Sequence, residues 1–326
     1  MDKGINTENS LQSKKILFIA FDFYKYNVAI KEQMETMGAE VDMFDQVRYS
    51  TTYSFLLRLH LGEWYMKRLR QAILTQCRKK EYDYVLSLEI KQPNEFYEEI
   101  RRLQPQAKMV LYYWDSIRFF DYRPYMRNFD KVCSFDIQDC KDNEGIEYLP
   151  LFYLEKFKGL RKSSNNYRYD LMYISSYSPE KYKQVNDFLS KPELKSLKTF
   201  VYFRAFPLKY LSLKLTGKDT NNLHYKALSF DELMQCAKES RCFFDFSKSY
   251  QSGLSMRTFE TLGAYQKLIT TNRRIKEEGI YSPENVFVLG DDDIKSLESF
   301  CNSSFTPKTI IEEYALSSWI TKLLSF

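Results

Sequence analysis

Uninterrupted apolar runs alternate along this chain with segments of helical periodicity. KKILFIAFDF (14–23) is apolar without alternation, as a strand buried on both faces should be. NVAIKEQMETMGAE then places Ile30, Met34 and Met37 at helical spacing and stops at Gly38, ahead of the short strand VDMFD. A long amphipathic stretch runs from about Ser54 to Lys80, and YDYVLSLE (82–89) predicts a third strand. Pro93 and Pro105 bracket the helix PNEFYEEIRRLQP, and KMVLYYWDS (108–116) and KVCSFD (131–136) read as the fourth and fifth strands. Strand and helix in alternation predict a parallel sheet with helices on both faces.

Residues 153–168, YLEKFKGLRKSSNNYR, are charged and polar, and read as a linker. Beyond them the alternation restarts: strand YDLMYISSYS, helix PEKYKQVNDFLS, strand KTFVYFRAF, helix SFDELMQCAKES capped by Ser229, strand CFFDFSKS, helix LSMRTFETLGAY, then strands KLITTN and NVFVLG. TIIEEYALSSWITKLLSF reads as one amphipathic helix at the end. At 326 residues the chain is longer than one core usually supports. The expectation is therefore an α/β protein of two Rossmann-like domains, residues 1–155 and 156–305, with a helix over 306–326 packing back toward the first. Their parallel sheets are expected to face each other across a cleft, with ligands at the carboxyl ends of the strands.

Composition narrows the function. Hydrophobic residues make up 44% and aromatics 17%, ample for packed cores and far from a disordered chain. The net charge of +5, from 48 basic and 43 acidic residues, is too slight for nucleic acid, and no nucleic-acid motif accompanies it. It suits a phosphate-bearing substrate or an anionic membrane surface. Six cysteines without a CxxC pair, and only two histidines, predict a reduced, metal-free protein of the cytoplasm. The first 13 residues lack an apolar core and no apolar run approaches ~18 residues, so neither a signal peptide nor a membrane span is expected.

Candidate chemistry concentrates in QSGLSMRTFE (251–260). Gly253 ahead of a helix lets a ligand approach the backbone, and the helix's free N–H groups favour a phosphate. Arg257 can add a bidentate contact, and Glu260, on the same side, can accept from vicinal hydroxyls. The competing reading is an i,i+3 surface pair. His60 and His224 read as packing or surface residues, and Asp291, Asp292 and Asp293 as helix capping. The segment 58–73, RLHLGEWYMKRLRQAI, reads either as a core helix with a solvated basic face or as a helix resting on an anionic membrane.

The block from CFFDF through QSGLSMRTFETLGAYQKLITTN to NVFVL resembles the donor half of bacterial GT-B glycosyltransferases, in particular the CgeB-like and the capsular or lipopolysaccharide-assembly enzymes. VLYYWDSIRFFDY, FDKVCSFDIQDC and EYLPLFY resemble their acceptor half, and YDLMYISSYSPEKY, with Ser175 and Ser176, resembles the opening strand and loop of the donor half. The resemblance spans about residues 80 to 290. Its most specific piece is Ser-Gly-Leu-x-x-Arg-x-x-Glu.

This resemblance implies a nucleotide-sugar donor held by the second domain, with Glu260 matching the family's ribose-binding glutamate. Arg204 and Lys209 in YFRAFPLK are the candidates for the diphosphate, a solvated loop charge being the other reading. Many retaining relatives carry a further glutamate eight positions before the first; here Ser252 stands there, beside Gln251, which leaves retention or inversion open. No metal or other cofactor is implied. An inverting transfer would need a carboxylate at a strand end of the first domain to take the acceptor's proton: Asp22, Glu89 or, foremost, Asp115, with Asp136 behind them. A helix cap is the alternative role for Asp115. The implied partners are the nucleotide sugar and a glycan or lipid-linked acceptor, with peripheral contact at the inner membrane. A non-catalytic sugar-nucleotide or glycan-binding protein is the second reading. An oxidoreductase is disfavoured because DFYKYN, not a GxGxxG turn, follows the first strand.

Overall fold

The computed structural model describes residues 10–47, 59, 61–160, 167–246 and 252–326. The start of the leader, the beginning of the long amphipathic stretch with His60, the middle of the predicted linker, and Gln251 lie outside the described residues.

The chain divides into two units. The first runs through Phe152 and also takes Ser252–Gly253 and Glu313–Phe326. In order it contains β1 (Lys15–Phe21), α1 (Tyr26–Thr36), β2 (Glu40–Val47), α2 (Gly62–Lys79), β3 (Tyr84–Leu88), α3 (Asn94–Leu103), β4 (Lys108–Tyr113), β5 (Lys131–Ser134), α4 (Ile137–Asp142) and β6 (Glu147–Tyr148). The strands form one parallel sheet in the order β2-β1-β3-β4-β5-β6. Every residue of β1 after Lys15 is buried, which is why that stretch is continuously apolar. Because β1 is internal and the winding direction changes after β2, the switch point lies between β1 and β3.

The second unit contains β7 (Tyr169–Ser176), α5 (Pro179–Leu189), β8 (Thr199–Arg204), α6 (Pro207–Leu215), β9 (Leu223–His224), α7 (Phe230–Lys238), β10 (Ser240–Asp245), α8 (Met256–Gly263), β11 (Lys267–Thr270), β12 (Val286–Val288) and α9 (Leu297–Asn302). Its parallel sheet has the order β12-β11-β10-β7-β8-β9, with the switch point between β7 and β10. Local signals set the helix starts. Ser178 accepts from the Lys181 amide ahead of Pro179, and Ser229 and Glu232 form a reciprocal capping box on α7.

The final segment is not one helix. A 3-10 turn over Thr309–Tyr314 breaks at Ala315, and α10 (Leu316–Leu324) follows. Helix α10 packs on α1 and β4 of the first unit, where Trp319 lies 4.8 Å from the Tyr112 ring and 4.7 Å from Phe152. The Lys131 ammonium closes the end of α10 by donating to the carbonyls of Lys322 (3.0 Å) and Ser325 (2.7 Å). No helix among the described residues is long and apolar enough to cross a membrane.

Candidate functional sites at the two switch points

In the second unit, β7 ends at Ser175 and Ser176, and β10 ends at Asp245. These two strands flank the switch point, so the pattern of crossovers alone brings the serines and the carboxylate to one end of the sheet. Asp245 accepts from the hydroxyls of Ser255 (2.6 Å) and Thr258 (3.3 Å). Ser255 also caps α8 by accepting from the Thr258 amide, so the start of α8 is tied to the end of β10. Burial pushes the Asp245 carboxyl above its usual range, against the opposing pull of the Ser255 hydroxyl and the Arg257 and Lys181 charges.

On α8, Arg257 Nη1 lies 2.7 Å from Glu260 Oε2, and the Arg257 guanidinium stacks 4.8 Å from the Phe243 ring of β10. The Glu260 side chain is only 2% exposed. The pair is therefore not the solvated surface pair that the spacing also allowed. It is held among Phe243 and the buried face of α8, where a cation and an anion interact more strongly than in water.

The flanking residues have other neighbours than a ligand. A Cβ built on Gly253 would meet the Phe135 ring at 2.3 Å, so this glycine admits a phenylalanine of the first unit. The Ser252 hydroxyl donates to Asp136, which is itself buried and caps α4 through the amides of Gln138 and Asp139. Gly253 thus leaves room for the Phe135 ring, and Asp136 serves as a cap. Arg204 ends β8, its guanidinium 5.2 Å from the Phe206 ring and its Nε buried without a hydrogen-bond partner among the described residues. Lys209 lies on exposed α6, one element further on.

At the first unit's switch point, Asp22 follows β1, Glu89 follows β3 and Asp115 lies just beyond the end of β4. Asp22 is exposed and pairs with Lys25 (2.8 Å). Glu89 is different: its side chain is 1% exposed and its backbone is left-handed at φ 61°. That conformation strains a non-glycine residue by about 1–3 kcal/mol and persists only where the surroundings enforce it. Here its N–H donates to the Tyr112 carbonyl (2.9 Å), while its own carbonyl accepts from Ser87 Oγ (2.8 Å) and Gln46 Nε2 (3.1 Å). Gln46 is fully buried and also accepts from the Lys91 amide (3.0 Å) and the Tyr97 hydroxyl (2.9 Å). Tyr24 and Lys25, in the loop after β1, are left-handed as well, at φ 48° and 66°. Strain therefore gathers at the ends of β1 and β3.

Burial pushes the Glu89 carboxyl up to about 7, although Lys91 Nζ lies 2.7 Å away and opposes the shift; the neighbouring Asp115 carboxylate adds to it. Asp115 is exposed and heads no helix. A turn follows, fixed by the carboxylate of Asp139, which accepts from Ser116 Oγ (3.2 Å) and the Ile117 amide (2.8 Å). The capping role open to Asp115 is thereby removed. Beside these carboxylates stands an aromatic cluster, with Phe23 exposed and its ring 5.4 Å from that of Trp114.

The other singled-out residues are structural. Asp291 pairs with Arg273 and Lys276 at 2.8 Å, Asp292 accepts from the Val288 amide and Asp293 caps the turn at Lys295. His224 stacks on Tyr202 at 3.9 Å. All six cysteines are free.

No protein-family model matches the chain, and no curated protein matches it by sequence. Solved structures match its fold. The apo form of the lipopolysaccharide outer core galactosyltransferase WaaB aligns with 95% of this chain and 99% of its own, at TM-score 0.55 and 11% identity. HepE of Anabaena, in complex with UDP and glucose, aligns with 96% and 99%, at TM-score 0.55 and 11% identity. The UDP-GlcNAc 2-epimerase of Neisseria meningitidis, bound to UDP-GlcNAc, aligns with 95% and 99%, at TM-score 0.51 and 9% identity. With its two six-stranded parallel sheets, each switching direction beside its first strand, this chain has the GT-B fold.

Proposed function

We propose that this chain is a glycosyltransferase that moves a sugar from a nucleotide-sugar donor to a glycan or lipid-linked acceptor in bacterial surface polysaccharide assembly, in the cytoplasm and without a bound metal. The observation that carries this reading is Glu89: a buried, strained carboxylate at a switch point, poised at about 7. A general base must be free to accept a proton near working pH, and that poise suits the task. Glu89 takes the proton of the acceptor hydroxyl as its oxygen bonds to the sugar's anomeric carbon. The bond from that carbon to the donor phosphate breaks, and the nucleoside diphosphate leaves with the electron pair. Asp115 and Lys91 tune the base, and Asp22 stays at the solvated rim.

The second unit is assigned the donor. The first amides of α8 and the guanidiniums of Arg257 and Arg204 suit a diphosphate, Ser175 and Ser176 line the same end of the sheet, and Glu260 suits the ribose hydroxyls. Lys209 is the more distant candidate. Asp245 was not foreseen; it fixes the start of α8 through Ser255 and Thr258. The fold shared with WaaB supports a transferase, and HepE with UDP and glucose supports a nucleotide-sugar donor. The epimerase has the same fold, so the fold leaves other nucleotide-sugar chemistry open. Ser252, where many retaining relatives carry a glutamate, favours the second reading, a binding protein that has lost turnover.

A thermal-shift panel of UDP, GDP, CMP, dTDP and ADP tests the donor assignment, since a ligand that binds only the folded state raises the melting temperature. One base should raise it, and Arg257→Ala with Glu260→Ala should abolish the rise. No response to any nucleotide would overturn the assignment. Binding without turnover of any nucleotide sugar would select the second reading.

A further inference from the structure

Helix α6, between β8 and β9, turns its apolar side to solvent. Only Leu213 of α6 is buried, while Leu208, Leu211 and Leu215 are 84%, 51% and 77% exposed, and Phe206, just before the helix, is 70% exposed. At about 100° per residue these three leucines fall within about 60° of arc, with Lys209 and Lys214 on its two flanks. Chance scatters single apolar residues over a surface; a stripe of this kind marks a docking face.

Charge identifies what docks there. From Arg204 to Lys226 the chain carries Arg204, Lys209, Lys214, Lys218 and Lys226 against one carboxylate, Asp219, a local excess of four on a chain whose total is +5. A second copy of the chain would bring that excess against itself. An anionic bilayer takes leucines into its acyl boundary and lysines among its phosphates.

We propose that α6 docks this protein on an anionic lipid surface, with Leu208, Leu211 and Leu215 entering the acyl boundary and Lys214 and Lys218 meeting the headgroup phosphates. This is a different surface from the 58–73 segment, where the first part of α2 buries Gly62 and Ile73 and lays Arg68 over the Trp64 ring at 5.2 Å. The docking reading stands apart from turnover and is tested without it.

The test is co-sedimentation of the full chain with vesicles of phosphatidylcholine alone, or with about a third phosphatidylglycerol to supply the negative surface. Binding is expected to the anionic vesicles only and to weaken as salt rises. Leu208→Asp with Leu211→Asp should lower it about tenfold or more per leucine and leave the melting temperature unchanged, because both side chains already face water. Lys214→Glu with Lys218→Glu should remove the preference for anionic lipid. Failure of the unaltered protein to bind anionic vesicles, or equal binding by the leucine variant, would overturn the proposal. So would self-association in sedimentation velocity that the leucine variant abolishes while neither protein binds vesicles; that result assigns the stripe to a second copy.

Discussion

Replacing Glu89 by glutamine should alter stability in a pH-dependent way. In the fold this carboxyl is held at about 7, against 4.5 for an ordinary glutamate. The native state therefore keeps a proton that the unfolded chain has already released. Stability from this group is complete below the ordinary value, declines as pH rises from 4.5 to about 7, and is flat above. The gap corresponds to about 3 kcal/mol. The side chain is 1% exposed, so little of this is screened by solvent. Glutamine stays neutral throughout and removes the slope. Urea unfolding should find the variant close to the parent near pH 4.5 and up to about 3 kcal/mol more stable near pH 8, with the loss of the Lys91 pair trimming the gain. Stability curves for the two proteins that run parallel across this range would refute the reasoning, because they would make Glu89 an ordinary ionised partner of Lys91. A residue kept at such a cost fits a working carboxylate better than a structural one.

Arg257→Ala should be among the more damaging substitutions on α8, since it breaks an ion pair whose carboxylate, Glu260, is 2% exposed. A loss of about 3–5 kcal/mol is expected by chemical denaturation, and adding Glu260→Ala should recover a good part of it, whereas a pair of no structural weight would show neither effect. Gly253→Ala drives a methyl into the Phe135 ring. It should cost about 1–3 kcal/mol, read as a lower melting temperature that Phe135→Leu partly restores, and an unchanged melting temperature would contradict the contact.

Much of the fold was legible because both sheets are parallel and strands such as β1 and β4 are buried on their two faces, so they stand out as the runs KKILFIAFDF and KMVLYYWDS. The two-residue strands β6 and β9 left no such run, and α6 was passed over for a physical reason. Leu211, Leu213 and Leu215 alternate like a strand, because most of the helix's leucines point to water and its own periodicity is hidden. The break at Ala315 was equally silent, since both sides of it are apolar at helical spacing.

The candidate sites were half legible. Asp22 and Glu89 could be named because they follow apolar runs, and the topology brings them to one switch point. What separates them is tertiary: the left-handed backbone and poised carboxyl of Glu89 depend on Gln46, Ser87, Lys91 and Tyr112, spread over 67 positions of sequence. Asp245 sat unnoticed inside CFFDF, its only signal being the hydroxyls ten and thirteen residues on. Phe135 beside Gly253 joins residues more than a hundred positions apart and has no local signature.

The most direct test of the central claim is release of nucleoside diphosphate from a panel of nucleotide sugars by the parent protein and by Glu89→Gln, with nucleotide binding followed in parallel. The account predicts release by the parent that rises with pH through about 7, and a fall of about 10²–10⁴-fold in the variant with binding intact. Release by the variant at the parent rate, or none from any sugar by either protein, would contradict it.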